Sequence, residues 1–215
     1  MKKIITAFVL VLMFSAVYAG TNSGFYIGAG GGYSTLDMGE EGETRYNDAA
    51  ITEDIIFPAT EGGMGFYIRM GIHDTEQGTL DLGYERTVHA GTYCGGSYET
   101  YYNDINLGGR WTFIDIANLA RPFLLLDLNV QWLTVSGGAI GSGYTGDSTF
   151  TGFGMSAGGG VIVPLIKTLF INIDAMWRFN LYMSASGRDV SGELDSYLFR
   201  HGLTFRAGLN YVLPE

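Results

Sequence analysis

The feature that most constrains this chain is an alternation of apolar and polar residues with period two, repeated in eight segments. Phe25, Ile27, Ala29 and Tyr33 alternate with Tyr26, Gly28, Gly30 and Gly32 within Gly24–Thr35. Phe66, Ile68, Met70 and Ile72 alternate with Tyr67, Arg69, Gly71 and His73. The same pattern runs through Leu80–Val88, Asp104–Phe113, Leu124–Trp132, Phe153–Val163, Leu169–Asn180 and Gly202–Tyr211. Successive side chains of a strand point to opposite faces, so each segment reads as a strand with one apolar and one polar face. The 33 Gly agree, because Gly weakens a helix interior by about 1 kcal/mol relative to Ala.

Such strands could pack as a sandwich with the apolar face inward, or close into a barrel with the apolar face on lipid. The polar faces favour the barrel. They carry Asp81, Glu85, Asp104, Asp127 and Asp174 against Arg69, Arg110, Arg178, Arg200 and Arg206. Five of each sign suits a paired interior, since buried charges are normally paired. Gly dominates the polar face of the first and sixth segments, leaving room for long side chains across a narrow lumen. Aromatics on the apolar face gather in two groups. Phe25, Trp111, Phe113 and Tyr211 belong to one rim; Tyr33, Phe66, Tyr101, Trp132, Phe153 and Phe179 belong to the other. Girdles of this kind are expected at the two membrane interfaces. Arg86 breaks the pattern by having lipid-facing parity. It lies near the outer rim, where it could reach lipid headgroups, unless a bulge reverses its parity.

Residues 1–19 read as a secretory signal peptide. Lys2 and Lys3 precede a short apolar run, and Val17 and Ala19 are the small residues of a cleavage site. The run is too short for a transmembrane helix. The expected domains are therefore a signal peptide at 1–19 and a barrel at 20–215. Losing Lys2 and Lys3 takes the net charge from −10 to −12 and leaves Lys167 as the one lysine. An acidic chain of this kind excludes nucleic acid as a partner. Cys94 is the single cysteine, allows no internal disulfide and reads as incidental.

The gaps between segments sort by length. Asp74–Gly78, Ile114–Arg121 and Pro164–Thr168 are short; 37–63, 89–98, 136–151 and 183–198 are longer. Short turns on the periplasmic side and long loops outside are the outer-membrane pattern. The acidic excess lies in the first long loop, with Asp37, Glu40, Glu41, Glu43, Asp48, Glu53, Asp54 and Glu61 against Arg45. Ile51, Ile55, Ile56, Phe57 and Pro58 add an apolar patch within it. Loops on a rigid scaffold are common seats of binding, so this segment is the candidate contact surface.

With these features the mature chain resembles the small eight-stranded outer-membrane proteins: OmpX and Ail, the OmpA membrane domain, and OmpW. The final segment also matches their assembly signal at Arg206, Gly208, Tyr211 and Leu213, although Pro214 and Glu215 follow where many relatives end on an aromatic. The resemblance implies a monomeric, up-and-down antiparallel eight-stranded β-barrel in a bacterial outer membrane. Its partners would be the barrel assembly machinery, membrane lipid or lipopolysaccharide, and a host or extracellular ligand at the loops. It implies a structural or surface-interaction role in adhesion or protection. The alternative is OmpW-like passage of small apolar molecules.

Chemistry is sparse. Gly141, Gly143 and Gly146 have GxGxxG spacing, but no helix follows, so no phosphate site is read there. No cofactor and no metal site is expected. A lipid A-modifying enzyme is the third reading, with His89 or His201 beside Ser97 or Ser196. Sequence cannot bring nucleophile, base and orienter together, so no catalytic residue is assigned and the chain is read as a non-enzyme.

Overall fold

The computed structural model describes residues 23–37, 42–45, 54–57, 59–74, 78–93, 96–117, 119–136, 147–187 and 190–213. The signal peptide and Cys94 lie outside these residues. Among the described residues there are ten strands: β1 (Ser23–Asp37), β2 (Gly42–Arg45), β3 (Asp54–Phe57), β4 (Ala59–Asp74), β5 (Gly78–Tyr93), β6 (Gly96–Thr112), β7 (Arg121–Ser136), β8 (Ser148–Ile166), β9 (Leu169–Gly187) and β10 (Val190–Val212). Eight of them close a barrel in the order β1-β10-β9-β8-β7-β6-β5-β4. Every neighbouring pair is antiparallel. The seam joins first and last strands from Tyr26↔Val212 to Asp37↔His201, so no sheet edge is left open. Strands β2 and β3 form a separate two-stranded sheet between β1 and β4.

The barrel is inverted relative to a soluble one. Along β7 the outward Leu124 and Leu128 are 59% and 60% exposed, while the intervening Asp127 is 2% exposed. Arg86 points outward with its parity intact: it pairs with Phe66 on β4 and Asn103 on β6 in an unbroken register, and no bulge intervenes. Among the described residues, no helix is long and apolar enough to cross a membrane.

Two expected loops are corrected. Pairing between β5 and β6 runs to Tyr93↔Gly96, and between β9 and β10 to Val190↔Gly187. The segments 89–98 and 183–198 are thus mostly paired strand. The reason is that ladder hydrogen bonds need no apolar face, so a hairpin continues after the alternation has faded. Strand β10 has 23 residues, about twice the 9–11 that cross a membrane. On the opposite side the turns are tight. Gly78, at φ 126°, opens β5 in a conformation that L side chains rarely adopt. The β6–β7 turn is closed by Ile116 and Ala120, with Ala117 at φ 52°.

The interior is layered. Tyr26, Phe123, Leu125, Ile162, Phe170 and Met176 pack together toward the tight-turn end. Leu133, Val135, Phe150, Tyr182, Ala185, Leu194 and Leu198 are buried toward the hairpin end. Between these layers lie the charges.

Candidate functional site

Each inward charge is placed by strand parity, and the barrel's small radius brings side chains from six strands to one level. Arg206 on β10 is the hub. Its Nε donates to Asp174 Oδ1 at 2.8 Å, and Nη1 lies 3.3 Å from Glu85 Oε2. Its Nη2 lies 3.6 Å from Asp127 Oδ2. Arg178 on β9 donates to Glu85 Oε2 at 2.5 Å and stands 3.4 Å from Asp104. Arg69 on β4 reaches Asp174 at 3.8 Å. Arg110 on β6 pairs with Asp81. These nine side chains are each at most 5% exposed. Arg200, the tenth inward charge, sits nearer the hairpin end and is half-buried, with Nη1 3.5 Å from the Phe199 carbonyl oxygen.

Neutral groups complete the network, and a reading based on charge alone passes over them. Tyr26 donates to Asp81 at 2.7 Å and Tyr102 to Asp104 at 3.1 Å. Asn106 and Asn172 donate to Asp104 and Asp174 at 2.9 and 2.6 Å. Rings back the guanidiniums. Arg69 lies 4.2 Å and Arg206 5.4 Å over Tyr67, and Arg178 lies 5.2 Å over Tyr102. The signal for Tyr102 was its parity with Asp104. A buried charge needs a partner and further hydrogen bonds to offset its lost hydration. This lattice supplies ion pairs to all nine charges and neutral donors to Asp81, Asp104 and Asp174, while Asp127 Oδ1 and Arg178 Nε have no hydrogen-bond partner among the described residues. It can also hold the strands in register. It leaves little room for a solute, as expected for eight strands.

The other candidate residues fall elsewhere. Of the acidic segment, Asp37, Glu43 and Asp54 lie in the backbone of β1, β2 and β3, and Glu61 is exposed on β4. Glu40, Glu41, Asp48 and Glu53 lie outside the described residues, as do the side chains of Ile55, Ile56 and Phe57. At the candidate assembly signal, Arg206 and Gly208 face inward while Tyr211 and Leu213 face out. The histidines are dispersed. His73 stacks on Phe170 at 5.1 Å near the tight-turn end. His89 is buried inside, 2.8 Å from Thr87 Oγ1 and 3.0 Å from the Glu61 carbonyl oxygen. His201 faces outward, stacked on Trp177 at 5.3 Å. His89 and His201 are thus on opposite sides of the wall, and the side chains of Ser97 and Ser196 lie outside the described residues. Among the described residues, no three His, Cys, Asp or Glu side chains are grouped to hold a metal ion.

No protein-family model matches the chain, and no curated protein matches it. Solved structures do. The outer membrane protein OprG from Pseudomonas aeruginosa is 11% identical with a TM-score of 0.56, covering 92% of this chain and 99% of its own. Neisserial surface protein A is 18% identical with a TM-score of 0.49, covering 89% and 99%. Ail, the attachment invasion locus protein of Yersinia pestis, is 12% identical with a TM-score of 0.46, covering 88% and 99%. At such identity the likeness speaks to fold alone. OprG and the closed antiparallel ladder agree on it: this chain has the fold of the small eight-stranded outer-membrane β-barrels.

Proposed function

We propose that the protein is an integral barrel of a bacterial outer membrane, exported by its first nineteen residues, and that it acts as a closed scaffold presenting a surface-interaction segment. The observation that carries this reading is the filled lumen. Nine charged side chains are locked together at no more than 5% exposure, with apolar layers on either side. A wall with no edge around an interior occupied by interlocked charges suits a scaffold that holds something out better than one that passes it through. The segment between β1 and β4 is what it holds, with the tight turns facing the periplasm. Its six acidic residues, flanked by Asp37 on β1 and Glu61 on β4, against Arg45 suit a basic partner.

Two results are expected. Refolded protein in a planar bilayer gives no discrete conductance steps, and vesicles containing it take up a small apolar tracer no faster than protein-free vesicles. Steady steps, or faster uptake, would move the assignment to a passage protein. Second, deleting residues 40–58 leaves the barrel folded but abolishes salt-sensitive binding of a basic polypeptide such as polylysine to protein-bearing vesicles. Unchanged binding after the deletion would count against the interaction surface.

A further inference from the structure

The outward face of β5 carries a cation that stands outside the lumen lattice. Arg86 faces lipid parity on β5, and among the described residues it forms none of the ion pairs that engage Arg69, Arg110, Arg121, Arg178 and Arg206. Its guanidinium lies 4.9 Å over the Tyr101 ring. Around it stand Phe66, Tyr84 and Trp132, with Phe66–Tyr84 centroids 6.2 Å apart and Tyr84–Trp132 centroids 6.3 Å apart. Asn103, opposite Arg86 in the ladder, is held by the Tyr84 hydroxyl at 2.9 Å. An aromatic belt marks the level of lipid headgroups. A guanidinium fixed there by a ring presents its planar fork to whatever anion the headgroup layer supplies.

Directly below is a groove in the outer wall. It measures about 620 Å³ and is lined by Ile27, Ile68, Met70, Leu82, Tyr84 and Ile105 among others. It is continuous with Arg86 through the register. The row Ile68, Tyr84, Ile105 is followed, toward the hairpin end, by the row Phe66, Arg86, Asn103. An apolar trough ending at a cation with no ion pair among the described residues has the polarity of a single amphiphile.

We infer that this face binds one membrane lipid, its acyl chain along the groove and its phosphate on Arg86. Charge complementarity selects the occupant: the trough takes hydrocarbon, and the one cation at its mouth takes one anionic headgroup. The placement at headgroup level rests on the outer-membrane reading above.

The test is native mass spectrometry of the refolded full chain from neutral detergent, offered phosphatidylglycerol or diacylglycerol with the same chains. The unaltered protein is expected to retain phosphatidylglycerol, and Arg86→Gln to retain about tenfold less, the effect of losing a charge-assisted contact. Ile68→Trp, which fills the trough but keeps the cation, is expected to lose retention as well. Arg121→Gln is expected to behave as the unaltered chain, and diacylglycerol to be indifferent to Arg86→Gln. Inorganic phosphate at millimolar concentration is expected not to displace the lipid. Phosphatidylglycerol retention by Arg86→Gln or by Ile68→Trp equal to that of the unaltered chain would overturn the inference, and displacement by inorganic phosphate would make the site one for a free anion. Failure of the unaltered chain to insert into vesicles is a separate result, and it would sink the outer-membrane reading instead.

Discussion

Arg206→Met is expected to destabilise the barrel by about 3–5 kcal/mol, the cost of removing one partner from a buried ion pair. The methionine fills similar space and adds no cavity, so the loss is electrostatic. Arg206 touches Asp174 at 2.8 Å, Glu85 at 3.3 Å and Asp127 at 3.6 Å, and its side chain is 2% exposed. After substitution Glu85 keeps Arg178 and Asp174 keeps the more distant Arg69. Asp127 loses its one close cation outright. Removing charge from both sides is the internal check. Arg206→Met with Asp127→Asn is expected to be more stable than Arg206→Met alone, because one uncompensated anion goes with the cation. The exposed pair Arg121–Asp115, at 2.9 Å, supplies the contrast. Arg121→Met is expected to cost less than 1 kcal/mol, since solvent already screens that pair. Urea-induced unfolding of protein refolded in vesicles measures all three. A cost for Arg206→Met no larger than that for Arg121→Met would mean that the lattice does not stabilise the barrel.

Parity was legible in the sequence because it is a local property. The spacing of Asp81 and Glu85, or of Asp104 and Arg110, is enough to put each pair on one face of its strand. Which charges meet is not local. Arg178 and Glu85 lie 93 residues apart and Arg206 and Glu85 lie 121 apart, and only the closure of β10 onto β1 brings them together. Whether the inside is full was also hidden. Leu133, Val135 and Phe150 share the inward face with Gln131 and Gly152, and their side chains cap the charged layer only because the strands continue past the point where the alternation weakens. The same continuation turned two expected loops into hairpins. Arg86 shows the converse. Its outward parity was plain, but the trough beneath it is lined from six strands, β1, β4, β5, β6, β9 and β10, so only the assembled wall shows it.

Gly208→Ala is expected to cost about 1–3 kcal/mol, the range for forcing extra volume into a packed interior. Gly208 pairs with Gly30 across the β1–β10 seam, and the two glycines form a niche for the Tyr67 hydroxyl. A methyl group on Gly208 would stand 2.2 Å from that oxygen, 2.5 Å from the Ala29 carbonyl oxygen and 2.9 Å from the Gly30 Cα. Tyr67 is 2% exposed, and its ring underlies both Arg69 and Arg206. Pushing it aside therefore disturbs the hub of the charge lattice as well as the seam. Tyr67→Phe removes the atom in conflict, and its hydroxyl has no hydrogen-bond partner among the described residues. In the Gly208→Ala background it is expected to restore part of the loss, while the backbone contact with Ala29 keeps the rest. Gly208 also lies in the stretch proposed to be read by the assembly machinery, and the two roles separate by where the defect appears. A packing defect lowers the unfolding midpoint of protein refolded into vesicles with no other protein present, and Tyr67→Phe relieves it. A recognition defect leaves that midpoint unchanged and lowers only the yield of barrel inserted in cells, with no relief from Tyr67→Phe.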